Sequence, residues 1–363
     1  MKRPHVFVAT GLYPPDSGGP ATHTRMMEEF LPAENMVVSV LPFSAVRHLP
    51  KIVRHVAYFL QCVKGAVHAD VVFAQDTISV GLPARLAAAV LLKPFIVRVP
   101  GDHVWEQGVA RFNVQETLDA FPVWPSHPYL FFLRLLQRVA LFRAHVLVPS
   151  AYLGRIVGKW GVPENRIQLI YNGVSFIEVG ACKVEPAMRP LVVVLGRLVA
   201  WKKVEQVIDA MAVKGIFHLH IIGDGPERNA LERRCVEKGI EDQVRFLGQL
   251  PNPEALQWVA AADVFVLNST YEGFSHTLVE AMRSGVPIIA TDIPGNREAA
   301  GDTVHYVSPG DNAQELAHAL EAVLYGGEAT AARVTAAKKR AESFSTTQVA
   351  HELARYINTI CTS

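Results

Sequence analysis

The sequence predicts an α/β protein of two doubly wound domains, each a parallel sheet with helices on both faces. Three observations predict it. The chain has 363 residues, enough for about two domains at roughly 150 residues each. Short β-branched runs alternate with longer amphipathic stretches, and Gly, Pro and Asp fill the loops between them. The alternation comes in two series, separated by residues 173–190, which lack helical spacing and carry two prolines shortly before a new strand.

In order, the first series places strands at residues 5–9, 36–41, 70–74, 95–99, 145–148 and 167–170. The second places them at 191–195, 218–222, 243–246, 263–267, 287–290 and 303–307. Apolar runs of this length without alternation suit strands buried on both faces. Helical stretches between them make βαβ units and hence parallel sheets. After the last strand, Val349, Leu353, Tyr356, Ile357 and Ile360 recur at helical spacing. With no strand to follow, that helix is expected to dock on a domain already built. The expected domains are residues 1–175 with 345–363, and residues 188–344.

Lys plus Arg number 35 against 34 Asp plus Glu, a balance that argues against a general nucleic-acid binder. Residues 1–180 carry 17 basic and 12 acidic side chains, whereas residues 181–363 carry 18 and 22. The first half is therefore the better place to meet an anionic partner. Cys62, Cys182, Cys235 and Cys361 lie far apart without metal-ligand spacing, so neither a disulfide framework nor a zinc site is expected and a reducing cytoplasm is the default. The charged, proline-broken start Met1-Lys2-Arg3-Pro4 does not read as a signal peptide. No window reaches the roughly 18 apolar residues of a membrane span.

Ligands of doubly wound sheets bind beyond the carboxyl ends of the strands, at helix N-termini, so the loops after strands carry the functional reading. The first, Gly11 to Pro20, puts Gly18 and Gly19 at a helix start, where the backbone can approach a phosphate; no Gly-Lys-Ser/Thr follows, so it is not a P-loop. The second, Gly196-Arg197-Leu198 through Lys202, sets two cations five residues apart at a strand end, able to converge on one anion. The third, Gly223-Asp224-Gly225-Pro226, lacks the third glycine of a dinucleotide fingerprint and reads as a tight turn. The fourth runs Tyr271-Glu272-Gly273-Phe274-Ser275-His276-Thr277-Leu278-Val279-Glu280-Ala281-Met282. A helix beginning near Ser275 would leave Glu272 in the loop and carry Glu280 about a turn and a half inside, with an anion site at the helix start.

Together these pieces resemble glycosyltransferase family 4, retaining glycosyltransferases of the GT-B fold. The resemblance spans nearly the whole chain. It is carried by Gly18-Gly19, Tyr171-Asn172-Gly173-Val174, Gly196-Arg197-Leu198 with Lys202, Ile222-Gly223-Asp224-Gly225-Pro226, Phe246-Leu247-Gly248, and Glu272-Gly273-Phe274 through Glu280-Ala281-Met282. It implies two Rossmann-like domains facing a cleft, with the C-terminal helix returning to the first. It further implies that Arg197 and Lys202 neutralise the donor diphosphate without a metal or other cofactor. By the same resemblance Glu280 binds ribose hydroxyls, and Glu272 with the backbone of Gly273 to Leu278 lies by the donor sugar. The Gly18-Gly19 loop would approach the diphosphate from the other domain.

The sequence departs from the family pattern after residues 95–99. Many members place a His directly there; this chain has Pro100-Gly101-Asp102-His103. Asp102 resembles the acid of a Gly-Asp variant and could orient the acceptor hydroxyl or take its proton. His103 is the competing choice, and a third reading has Asp102 cap a turn with His103 a bystander. His276 stands where an apolar residue is common, either touching the donor or using only its backbone. The loop Asp292 to Glu298 is read as structural, with an acceptor-side role open for Arg297.

The stretches 51–67 and 131–146 are apolar and studded with Lys51, Arg54, Lys64, Arg134, Arg138 and Arg143. They read either as helices lying on an anionic membrane, within reach of a lipid-linked acceptor, or as buried helices whose long side chains reach water. The family includes both lipid-linked and soluble acceptors. The expectation is a metal-independent, cytoplasmic enzyme that moves a sugar from a nucleoside diphosphate to a hydroxyl, with peripheral membrane contact through its first domain and no nucleic-acid partner. The rivals are an inactive nucleotide-sugar-binding scaffold and another GT-B activity, such as a sugar-nucleotide epimerase.

Overall fold

A computed structural model describes residues 3–16, 18–175, 189–215, 217–310 and 312–362. Cys182 and most of the expected linker lie outside the described residues. The chain folds into two units, Met1–Gly173 with Thr346–Ser363, and Val174–Ser345.

Unit 1 runs β1 (His5–Thr10), α1 (Gly19–Phe30), β2 (Val37–Pro42), α2 (Lys51–Ala66), β3 (Val71–Ala74), α3 (Gly81–Val90), β4 (Phe95–Arg98), α4 (His103–Phe112), α5 (Pro128–Leu141), β5 (His145–Val148), α6 (Ala151–Lys159) and β6 (Ile167–Leu169). Unit 2 runs β7 (Leu191–Leu195), α7 (Val204–Lys214), β8 (His218–Ile222), α8 (Arg228–Lys238), β9 (Val244–Gly248), α9 (Asn252–Ala261), β10 (Val264–Leu267), α10 (His276–Ser284), β11 (Ile288–Thr291), α11 (Pro294–Ala300), β12 (His305–Val307), α12 (Ala313–Leu324) and α13 (Gly327–Ala341). The last helix, α14 (Thr346–Thr362), belongs to unit 1. All twelve expected strands form, with ends moved by a residue or two.

Both sheets are parallel throughout, in the orders β2-β1-β3-β4-β5-β6 and β12-β11-β10-β7-β8-β9. In such sheets the strand order reverses at one point and leaves a crevice at the carboxyl ends. That point lies between β1 and β3 in unit 1, and between β7 and β10 in unit 2. Strands β3, β4, β10 and β11 are buried along their whole length, as a sheet covered on both faces requires.

The apolar stripe foreseen at the C-terminus is the buried face of α14. Val349, Leu353, Ile357 and Ile360 pack with Met27 and Leu31 near α1, and with Phe73 of β3. At the outer end His351 Nδ1 meets Glu34 at 3.1 Å. The chain leaves unit 1 at Gly173, where an added Cβ would lie 3.0 Å from the Thr346 backbone. It enters unit 2 at Val174, whose N–H donates to the Phe344 carbonyl at 2.9 Å.

Candidate functional site

In unit 2 the switch point is built by glycines that let two loops lie against each other. Gly196 (φ +150°) and Gly223 (φ +130°) occupy backbone regions that side chains rarely adopt, and a Cβ on Gly223 would stand 1.9 Å from the Gly196 carbonyl oxygen. A Cβ on Gly225 would stand 2.2 Å from the Leu198 carbonyl oxygen. The Leu198 N–H donates to the Asp224 carbonyl (3.0 Å), and the Glu227 N–H to Leu198 (3.2 Å). The tight turn expected at 223–226 thus supports the loop that carries Arg197, whose side chain is exposed.

A single 3₁₀ turn, Ala200–Lys202, brings Lys202 back over the strand end. Its Nζ lies 2.6 Å from Glu272 Oε1, which also accepts from Ser269 Oγ at 2.7 Å. The side chains of Lys202 and Glu272 are 17% and 12% exposed, so the pair is sheltered yet open on one side. Gly196, Arg197, Lys202, Asn268 and Ser269 share one small pocket at the ends of β7 and β10. The Glu272 carbonyl is pressed by Gly295, where a Cβ would come within 2.0 Å; the loop 292–298 thereby fixes the Glu272 turn from behind.

Ser275 caps α10, its Oγ accepting from the Leu278 N–H at 3.3 Å, and Glu280 is the fifth helical residue. Burial pushes the Glu280 carboxyl above its ordinary range, opposed by a hydrogen bond from Asn252 Nδ2 at 3.1 Å. The side chains of two residues in this stretch face inward. Leu278 has its side chain in the core and its N–H spent on Ser275. The Phe274 ring is buried edge-on against Phe344 at 5.1 Å. Gly273 is buried, while His276 and Thr277 are partly exposed. Arg297 grips Asp292 through two hydrogen bonds of 2.6 and 2.8 Å, reaches Asp302 at 2.8 Å and lies 3.8 Å over the Tyr306 ring. These contacts tie it to the fold of that loop.

In unit 1, Gly18 is the N-cap of α1 with φ +143°, and Gly19 opens the helix. Asp102 takes the capping position that one of its three readings gave it. Its Oδ1 caps α4 by accepting from the Val104 and Trp105 N–H groups at 3.0 and 3.4 Å, and its Oδ2 lies 2.7 Å from Arg134. Asp102 and Arg134 are both 1% exposed, and the guanidinium lies 4.8 Å over the Trp160 ring. A carboxylate with both oxygens committed and no solvent access is a poor proton acceptor for an incoming hydroxyl. The same geometry removes Arg134 from the surface cations expected in 131–146. His103, the first residue of α4, is half-buried, and burial holds its imidazole below the usual range so that it is neutral at pH 7.

The sequence reading missed the groups that hold these side chains. Ser269 and Asn252 position Glu272 and Glu280; Asn252 lies 28 residues from its partner, beyond any local motif. It also missed Asp76 after β3, whose Oδ1 accepts from Ile78 and Val80 N–H at 3.0 and 3.1 Å and whose carboxyl burial pushes upward. Arg98, 1% exposed, donates to Asn172 Oδ1 at 2.5 Å, and burial pushes it down to about 10. Among the described residues no three His, Cys, Asp or Glu side chains are grouped to hold a metal ion, and no helix is long and apolar enough to cross a membrane.

Residues 5–176 match the family model described as Glycosyltransferase Family 4, and residues 182–340 match the one described as Glycosyl transferases group 1. The chain is 31% identical over 141 residues to the lipopolysaccharide core biosynthesis glycosyltransferase LpsE of Rhizobium meliloti, covering 38% of this chain and 41% of that protein. It is 26% identical over 222 residues to the N-acetylgalactosamine-N,N'-diacetylbacillosaminyl-diphospho-undecaprenol 4-alpha-N-acetylgalactosaminyltransferase of Campylobacter jejuni, covering 59% and 60%. These matches span about half the length of the two relatives. In fold, Anabaena HepE in complex with UDP and glucose superposes with a TM-score of 0.77 at 19% identity, over 98% of this chain and 100% of that one.

Proposed function

The chain belongs to glycosyltransferase family 4, and from that premise we propose that it transfers a sugar from a nucleoside diphosphate donor to a hydroxyl, with retention of configuration and without a metal ion. The observation that carries this reading is the Lys202–Glu272 pair at 2.6 Å beside the exposed Arg197, at the switch point of unit 2.

Breaking a glycosidic bond to a nucleoside diphosphate builds negative charge on the leaving phosphates. Fixed cations stabilise that charge without reorganising at the moment of reaction. Arg197 has a free fork suited to two phosphate oxygens. Lys202 is held in place by Glu272 until a diphosphate competes for its ammonium, and Ser269 keeps a hydrogen bond on the carboxylate when that happens. The start of α10 offers N–H groups to the same phosphates. Glu280, steadied by Asn252, accepts from the ribose hydroxyls. On the acceptor side the neutral imidazole of His103 receives the hydroxyl proton, in place of the committed Asp102. The acceptor class is a glycan of lipopolysaccharide or lipid-linked type, the class named for the relatives.

The test is thermal stabilisation by a panel of nucleoside diphosphates, with Mg²⁺ and with a chelator, on the wild type and on Arg197→Ala. The expected result is a shift from one base that is independent of metal and lost in the variant. No shift from any nucleotide, or a shift unchanged in Arg197→Ala, overturns the donor site. Proton spectroscopy of the first product then reads its anomeric configuration, and inversion would overturn retention.

A further inference from the structure

Helices α2, α3 and α5 pack side by side on one face of the unit 1 sheet. Their sequences contain no Asp or Glu. Their outer faces are apolar and in water: Val56 and Leu60 on α2 are 55% and 60% exposed, Val90 on α3 is 64% exposed, and Leu135 and Val139 on α5 are 46% and 43% exposed. Beyond the last residue of α5, Phe142 is 64% exposed. In unit 2 the exposed large apolar side chains among the described residues are Val213, Val236 and Tyr325, each on a different helix or loop. An apolar face of this extent on a water-soluble surface marks an interaction site.

Cations frame it. A groove beside Phe142 is lined by Arg85, Leu86, Ala89, Arg138 and Val139. A second depression that shares Arg138 and Phe142 with the first adds Arg143 and Arg166. Arg85 Nε donates to the Phe142 carbonyl at 3.0 Å, Arg143 lies 5.5 Å over the Phe142 ring and Arg138 lies 5.0 Å over Trp124. Among the described residues none of these four arginines has a carboxylate partner. Burial lowers the Arg85 pKa, and the crowding by Arg143 lowers it further.

We propose that the α2–α3–α5 face, with the arginines around Phe142, is the surface by which the protein docks on an anionic lipid bilayer. A bilayer offers what the face lacks on both counts, hydrocarbon for the apolar side chains and phosphate for the guanidinium groups. A second copy of the chain meets it poorly, because a two-fold contact sets the same patch against itself and brings arginine to arginine. α5 is about 21 Å long at 1.5 Å per residue. Its exposed stripe Phe131, Leu135, Val139 runs along the helix toward Phe142 and Arg143, which follow its last residue. The two stretches singled out in the sequence are part of this face, but Arg134 is not, and α3 joins it.

The experiment is co-sedimentation of the full chain with phosphatidylcholine vesicles and with vesicles containing phosphatidylglycerol, across a series of NaCl concentrations. The expected result is binding to the anionic vesicles that weakens with salt and is at least about tenfold weaker to the neutral ones. The double reversal Arg138→Glu/Arg143→Glu weakens the anionic binding at least about tenfold, and so does Leu135→Ser/Val139→Ser, while Lys339→Glu in unit 2 leaves it unchanged. Equal binding to both vesicle types, no binding, or binding untouched by the reversal overturns the proposal. So does a dimer in solution that the reversal dissociates. Thermal stabilisation by a nucleoside diphosphate, measured on the same variants, reports the unit 2 site and the fold separately. If it persists while vesicle binding fails, the surface is wrong and the transfer reading stands.

Discussion

In both units a helix that follows a strand-end loop starts on a side-chain cap, Asp102 before α4 in unit 1 and Ser275 before α10 in unit 2. The surroundings differ. Asp102 carries a full charge, neutralised inside the unit by Arg134 with both side chains 1% exposed. Ser275 is neutral, and the charges near it, Lys202 with Glu272, remain open on one side with Arg197 exposed beside them. A buried ion pair stabilises little in net terms but is costly to break, whereas half-open charges are available to a ligand. An acidic residue in a strand-end loop thus points to chemistry in one unit and to internal neutralisation in the other. Exposure and partners decide between them; position in the fold does not.

The largest expected effect breaks the unit 1 side of this contrast. Arg134→Met leaves the Asp102 charge buried and unpaired, which should cost about 3–5 kcal/mol and lower the melting temperature by roughly 10 °C. Asp102→Asn/Arg134→Met, which removes both charges, should recover much of that loss. If Arg134→Met melts like the wild type while sugar transfer collapses, Asp102 is a reacting group after all and the contrast fails.

Next comes Arg197→Ala in unit 2. Losing one fixed cation at a developing charge should lower the transfer rate by about 10²- to 10³-fold. Because the side chain is exposed and no hydrogen bond or ion pair holds it among the described residues, the melting temperature should stay within about 1 °C. Arg197→Lys keeps the charge without the fork and should fall between the two. A stability loss that tracks the rate loss would show that Arg197 serves the fold, as Arg134 does.

These variants follow the line between what was legible in the sequence and what was not. The two sheets could be read because their signal is local: apolar runs, Gly and Pro loops and periodicity repeat every few residues. The proposed donor half of the site could be read because Gly196 to Lys202 and Glu272 to Glu280 are each short stretches of chain, where local geometry keeps neighbours together. The Asp102–Arg134 pair could not be read, since its members are 32 residues apart and meet only through the packing of α5 on α4. The partners Ser269 and Asn252 failed for a related reason. Ser and Asn occur in most loops, and nothing in their own sequence marks which carboxylate they reach. The motif also left open which of its side chains turn inward, as Leu278 does, because the helix phase decides that.

A smaller effect is a response of unit 2 to acid. His220 in β8 is 8% exposed, edge-on to Trp258 at 4.7 Å. Burial, with the charges of Arg245 and His218, lowers its pKa to about 4. Its folded value lies below the unfolded value near 6.5, so its contribution to stability is complete above pH 6.5 and is lost as pH falls toward 4. The loss should be roughly 2 kcal/mol. Denaturant unfolding at pH 7.5 and pH 4.5 checks it, and His220→Phe should flatten the difference. If the units unfold in separate steps, the step that His220→Phe makes less acid-sensitive should be the one that responds to a nucleoside diphosphate, because the histidine and the proposed donor site both belong to unit 2.

The smallest effect returns to the two caps. Ser275→Ala removes one side-chain acceptor from the start of α10 and should cost about 1 kcal/mol, or some 2–4 °C in a unit of this size. The helix should persist, because Leu278, Val279, Ala281 and Met282 are buried behind the cap. Nucleoside diphosphate affinity should fall only a few-fold, since Arg197 and Lys202 stay in place. Asp102→Ala removes a cap of the same kind in unit 1, but it also strands the Arg134 guanidinium in the core, so it should cost several times more. If the two alanine variants lose equal stability, the Arg134 pair contributes nothing beyond the cap, and the distinction between an internal and an open charge has no energetic basis in this protein.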